Sequence, residues 1–111
     1  MSSSLIVECQ TSESLEGIIN TNRKVVALFY SYDMPWGKIA EHKMQVVARQ
    51  LEKGNITTIP FILVNYADFY EDGVKVETAP HTIKYESYVD GRVHQCTGNS
   101  AELEGLVTAL L

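Results

Sequence analysis

Apolar residues recur along this chain with two different periods, and each change of period marks an element. Leu5 to Glu8 is a short apolar run that reads as a first strand. Thr11 or Ser12 can then cap a helix, because a hydroxyl can accept from a free N–H of the first turn. Leu15, Ile18 and Ile19 follow at helical spacing, and Thr21-Asn22 ends the segment. Val25 to Tyr30 is a continuous apolar run of β-formers, the pattern of a central strand covered on both faces. After Pro35, apolar residues fall at Trp36, Ile39, Ala40, Met44, Val47 and Leu51. Steps of three and four predict one buried stripe on a long helix, with Lys38, Glu41, Lys43, Arg49, Gln50 and Lys53 on its solvent side. Gly54-Asn55 is a stop signal.

Ile59 to Val64 reads as a further buried strand, with Pro60 near its start, where a missing N–H is tolerable. Asp68 to Glu77 fits a short helix or a loop. Thr82 to Val89 alternates like a half-buried strand, Asp90-Gly91 signals a tight hairpin, and Arg92 to Cys96 is the return strand. Asn99 or Ser100 caps a last helix whose apolar face is Leu103, Leu106, Val107 and Leu110. The order is β-α-β-α-β-(α)-β-β-α. Its early crossovers imply parallel strands, and the hairpin adds an antiparallel edge.

Composition narrows the function. A chain of 111 residues suits one domain, spanning residues 1–111. The formal charge of -5, with no Lys or Arg run, argues against nucleic-acid binding. The longest apolar runs are too short to cross a bilayer, so no membrane partner is expected. Met1-Ser2-Ser3-Ser4 has neither a basic segment nor a long apolar one, so a cytoplasmic protein is expected. Cys9 and Cys96 fall in different predicted strands and form no Cys-x-x-Cys pair. His42, His81 and His94 complete no metal pattern, and His81 and His94 read as ordinary strand-flanking residues. The acids Asp68, Glu71, Asp72 and Glu77 lack calcium-loop spacing and read as a solvated face. No metal or cofactor is expected.

Four features resemble the thioredoxin family over nearly the whole chain, from about Leu5 to Leu111. The first is the corner Phe29-Tyr30-Ser31-Tyr32-Asp33-Met34-Pro35-Trp36-Gly37-Lys38, where an apolar strand meets a long helix. The second is Thr78-Ala79-Pro80-His81-Thr82-Ile83, similar to the family's cis-proline loop. The third is the hairpin Val89-Asp90-Gly91-Arg92-Val93, and the fourth is Gly98 before the last helix. The resemblance implies an α/β thioredoxin fold, with a central mixed five-stranded sheet and helices on both faces. It implies a cis bond at Pro80 and a main-chain site at Ala79 for pairing with an extended peptide. A weaker similarity is to the redox-inactive phosducin-like thioredoxin domains, through Phe29-Tyr30 and Met34-Pro35. Those proteins bind partners such as G-protein βγ subunits or the cytosolic chaperonin, with a helical arm for which this chain has no room.

Where the family carries Cys-Gly-Pro-Cys, this chain reads Asp33-Met34-Pro35-Trp36. Disulfide exchange needs a thiolate nucleophile and a second, resolving thiol, and neither a carboxylate nor an indole supplies one. The family's buried strand acid is replaced by Ala27, the lysine after its motif by Gly37, and its helix-kinking proline by Glu41, so a straighter helix is expected. Asp33 is expected to cap the helix and accept from Trp36. Trp36 is expected to turn inward into the space a cysteine vacated, while Tyr32 and Met34 stay on the surface. The opposing reading makes Tyr32, Met34 and Trp36, with Ala79, Pro80 and Gly98, a contact surface for a protein or extended peptide. Cys96 is expected to be a small buried hydrophobe. Three functions compete: a partner-binding module without dithiol chemistry and not an enzyme, a thiol-disulfide oxidoreductase working through Cys96 or Cys9, and a structural component of a larger assembly.

Overall fold

A computed structural model describes residues 5–76 and 82–111. Its strands and helices follow in the order β1 (Ile6–Glu8), α1 (Ser12–Thr21), β2 (Lys24–Tyr30), α2 (Pro35–Lys53), β3 (Phe61–Asn65), β4 (Tyr70–Glu71), β5 (Val74–Lys75), β6 (Lys84–Val89), β7 (Arg92–Thr97) and α3 (Leu103–Thr108). Two 3₁₀ turns, Tyr66–Asp68 and Ser100–Glu102, follow β3 and precede α3. Five strands form one mixed sheet in the order β1-β3-β2-β6-β7. β3 is parallel to both β1 and β2, while β6 is antiparallel to both β2 and β7.

β2 is the centre of the sheet, and its alternation explains why the run from Val25 to Tyr30 has no charged position. Val26, Leu28 and Tyr30 enter the core that holds Ala40, Met44 and Val47 of α2 and Leu103, Leu106 and Val107 of α3. Val25, Ala27 and Phe29 enter a second core with Ile19 of α1, Ile62 and Val64 of β3, Phe69 and Tyr88. Helices therefore cover both faces, and both sets of β2 side chains leave water.

The helix ends follow local chemistry. Thr11 Oγ1 accepts from Ser14 N at 3.1 Å to cap α1. α2 stops where Asn55 takes a left-handed φ of 63°, a conformation asparagine tolerates better than most residues. Asn99 Oδ1 accepts from Ala101 N at 3.0 Å and opens the turn that leads into α3. The segment after β3, a short helix or a loop by its pattern, resolves into the 3₁₀ turn Tyr66–Asp68 and the two-stranded hairpin β4–β5. Its turn is Asp72-Gly73 with φ of 50° and 78°, matching Asp90-Gly91 with 52° and 81°. The same dipeptide makes the same turn twice, but the first pair of strands is too short to show an alternating pattern.

The apolar stripe of α2 differs from its expected position. The buried residues are Gly37, Ala40, Glu41, Met44, Val47 and Ala48, while Trp36 is 46% and Ile39 66% exposed. Ala40, Met44 and Val47 belong to both stripes, so the buried face is turned by about 60°, less than the roughly 100° that one residue spans. The cause is the close approach of the helix start to β2: a Cβ at Gly37 would collide with the carbonyl oxygen of Ser31. Glycine must face the sheet, so Trp36 and Ile39 face water, and Glu41, expected in solvent, is drawn inside.

Candidate functional site: the corner between β2 and α2

The corner is organised by a residue that pattern reading passes over. Ser31, 1% exposed, accepts from Met34 N at 3.2 Å through its carbonyl and from Asp33 N at 3.3 Å through its hydroxyl. Asn65, at the end of β3, ties the neighbouring residue down, its Oδ1 accepting from Tyr32 N and from Ala67 N, each at 3.1 Å. The only sequence signal for either residue is a small polar side chain at the end of a buried apolar strand.

Asp33 is not the helix cap. Proline disfavours helical conformation in the residue before it, and Met34 is extended, with φ −108° and ψ 132°. The cap position therefore falls on Met34, Pro35 takes the first helical place, and Gly37 N donates to Met34 O at 2.9 Å. No side chain caps the helix, and Asp33 lies one residue outside it, exposed. Trp36 is corrected from buried to exposed for the reason given above. Tyr32 is 40% exposed, as expected, while Met34 is half-buried.

Trp36 and Ile39 border a shallow groove of about 370 Å³ whose other walls are Thr82, Ile83, Gly98 and Ser100. The fold thus brings Trp36 and Gly98 together from distant parts of the chain. Tyr32 and Met34 do not line this groove. Ala79 and Pro80, with the expected cis bond, lie outside the described residues, as do Glu77 and His81.

Behind the corner is a small polar cluster. The rings of Tyr30 and Tyr32 meet edge to face at 5.6 Å, and Lys38 Nζ lies 5.9 Å from the centre of the Tyr32 ring. Glu41 is 9% exposed and accepts a long hydrogen bond of 3.5 Å from Gln45 Nε2. The Tyr32 hydroxyl is pushed up to about 12, first by its hydrogen bond to the Glu41 carboxylate, then by burial and by the charges of Glu41 and Glu8. Burial, followed by the charge of Glu41, raises the Tyr30 hydroxyl as well. Ala27 leaves β2 without an acid, yet near the start of α2 a carboxylate enters the interior.

The two thiols lie at opposite edges of the sheet. Cys9 follows β1 at one edge of the sheet and is buried, its Sγ 3.7 Å from Ser14 Oγ; burial pushes its thiol up, away from the reactive thiolate. Cys96 is in β7 at the opposite edge and is exposed, where a buried residue was expected, because β7 is an outer strand. Four strand spacings of roughly 4.8 Å separate the two edges, about three times the Cα separation a disulfide allows. Among the described residues no cluster of His, Cys, Asp and Glu is suited to a metal ion, and no helix is long and apolar enough to cross a membrane.

No family model matches the sequence, and no curated protein matches it. Solved structures do match the fold. Thioredoxin from Plasmodium falciparum superposes with a TM-score of 0.72 at 16% identity, covering 94% of this chain and 98% of that one. Thioredoxin from Trypanosoma brucei brucei gives 0.70 at 16% identity, covering 95% and 89%. A mutant thioredoxin from Halobacterium salinarum gives 0.68 at 16% identity, covering 98% and 94%. The chain has the thioredoxin fold. Identity this low carries the architecture and leaves the chemistry to be argued from the residues.

Proposed function

We propose that this chain is a thioredoxin-fold binding module that holds a protein partner, through an extended segment, at the β2–α2 corner and performs no dithiol chemistry. The observation that carries this reading is the outward placement of Trp36 and Ile39 beside Ile83 and Gly98. Gly37 must face Ser31, and that leaves these two large apolar side chains in water beside the groove. Tryptophan at the rim of an open groove is a frequent anchor of protein interfaces. The absence of a cysteine from Asp33 to Trp36, and the raised pKa of buried Cys9, support a role without thiol exchange. Two unpaired thiols at opposite sheet edges fit a cytoplasmic location.

The test is affinity capture from the native lysate with the wild-type chain, Met34→Asp and Trp36→Asp. One specific band should be lost with Trp36→Asp and weakened with Met34→Asp, while Trp36→Asp leaves stability within about 0.5 kcal/mol of wild type, as for exposed sites. In parallel, insulin reduction with thioredoxin reductase should stay at background. Turnover like that of an ordinary thioredoxin, abolished by Cys96→Ser or Cys9→Ser, would establish the oxidoreductase reading instead. Bands unchanged by both substitutions would move the interface away from the corner.

A further inference from the structure

A second concavity, lined in part by Tyr32, differs in kind from the groove. It is a partly enclosed cavity of about 190 Å³ at the carboxyl ends of β1, β3 and β2. Ligands of open α/β sheets characteristically bind outside the carboxyl ends of their strands. Its inner wall is Cys9, Leu63 and Tyr30, all at most 2% exposed, and its mouth carries Glu8, Gln10, Asn65, Asp68 and Tyr32. The volume is below the roughly 300 Å³ of the smallest drug-sized sites. It suits a head group of a few heavy atoms.

The polar lining selects the charge of that group. No Lys, Arg or His lines the cavity. Among the described residues, the ion pairs Lys43–Glu104 and Lys84–Glu86 involve neither Glu8 nor Asp68, nor the buried Glu41 behind them. Lys38 stands over the ring of Tyr32 but is not part of the lining. Several polar groups are already committed in ways that leave acceptors over. Gln10 Nε2 donates to Asp68 Oδ2 at 2.9 Å, which leaves Gln10 Oε1 and a second Asp68 oxygen. The phenol oxygen of Tyr32, in the lining, has lone pairs that can accept as well. The rings of Tyr30 and Tyr32 form part of the lining. The complementary ligand has only donors, a positive charge and a compact or flat head.

We infer that the cavity bounded by Tyr30, Tyr32, Glu8 and Asp68 is a binding site for an organic cation, a guanidinium or primary ammonium group. The pairing would be charge-assisted hydrogen bonding to the carboxylates, with the head group against the phenols. The group can come from a free small amine or from a basic side chain of a bound protein, and the chemistry is the same for both. This site stands independently of the partner groove, since it shares none of the residues that line it.

The test is an amide chemical-shift titration of the full chain with ethylguanidinium and ethylammonium chloride at constant ionic strength. Ethylurea serves as the neutral isostere. Saturable shifts are expected at Gln10, Tyr32 and Ala67 with the cations and not with ethylurea. Glu8→Gln and Asp68→Asn should each weaken binding roughly fivefold, the effect of one partly exposed charge pair, while the remaining spectrum shows the fold unchanged. A tripeptide with a central arginine, compared with its citrulline counterpart, separates the sources. Binding at least tenfold tighter than ethylguanidinium, about the step that 1.4 kcal/mol of added contact supplies, assigns the site to a protein side chain, and equal binding assigns it to a free amine. Shifts of equal size with ethylurea, or shifts that rise linearly and scatter over other acidic residues, would overturn the assignment.

Discussion

The two concavities near the β2–α2 corner differ in kind. In one, Trp36, Ile39 and Ile83 border an open, shallow and largely apolar groove. In the other, Glu8, Tyr30, Asn65 and Asp68 border a smaller, more closed and polar cavity. The pressing of Gly37 against the Ser31 carbonyl bears on both. That contact sets the rotation of α2, which turns two apolar residues out and one carboxylate in. The comparison shows that a helix rotation of less than one residue can create a candidate interface and a buried carboxylate at once.

The comparison breaks most completely at its pivot. Gly37→Ala should destabilise the chain by about 1–3 kcal/mol, the cost of overpacking a close contact, because the obstacle is backbone rather than a yielding side chain. Urea unfolding followed by far-UV circular dichroism measures it. A loss below about 0.3 kcal/mol, far under the overpacking range, would mean that the helix start can move away freely.

Next comes the polar side. Tyr30→Phe removes a buried hydroxyl that serves the Glu41 carboxylate and should lose about 1–2 kcal/mol. The same unfolding experiment should show Met34→Ala changing stability less, since that side chain is half-buried and caps nothing.

The smallest and sharpest effect is in titration. Tyr32 should ionise near 12 in the native chain, against an ordinary value of 10.0. In Glu41→Gln the midpoint should fall back toward the ordinary value, because the hydrogen bond to that carboxylate is the first cause of the shift. The sign for stability follows from linkage. The raised pKa favours the folded state fully below pH 10, and the benefit is lost as pH rises through about 12. Ultraviolet difference spectra resolve the midpoint, and Glu41→Gln should flatten the fall in stability across that window. An unchanged midpoint would remove Glu41 from the cluster.

Much of the architecture could be read from residue order because its determinants are local. The unbroken run of β2, the Thr11 cap, the Gly54-Asn55 stop and the Asp90-Gly91 turn each act within a few residues, and each lies where the pattern placed it, whereas Asn99 caps the 3₁₀ turn and α3 begins only at Leu103. The site was less legible. Asp33 reads as a cap because an acid before Pro35 suits a helix start, and Trp36 reads as buried because it stands in a cysteine's place, whereas Pro35 puts the cap on Met34 and Gly37 sets the buried face. Cys96 reads as a core residue in isolation, and only its place in an outer strand exposes it.

The chain's own residues thus determined the order of the five sheet strands and three helices, the Asp90-Gly91 turn, the two-sided burial of β2 and the lack of any Cys-x-x-Cys pair. These depend on backbone preference, periodicity and the presence or absence of an atom, all of which are written one position at a time. Tertiary structure decided which way α2 turns, that Glu41 lies against Tyr32, and that Trp36 meets Gly98 across a groove. Those outcomes depend on how closely two backbones can approach, a distance set jointly by residues far apart in the chain.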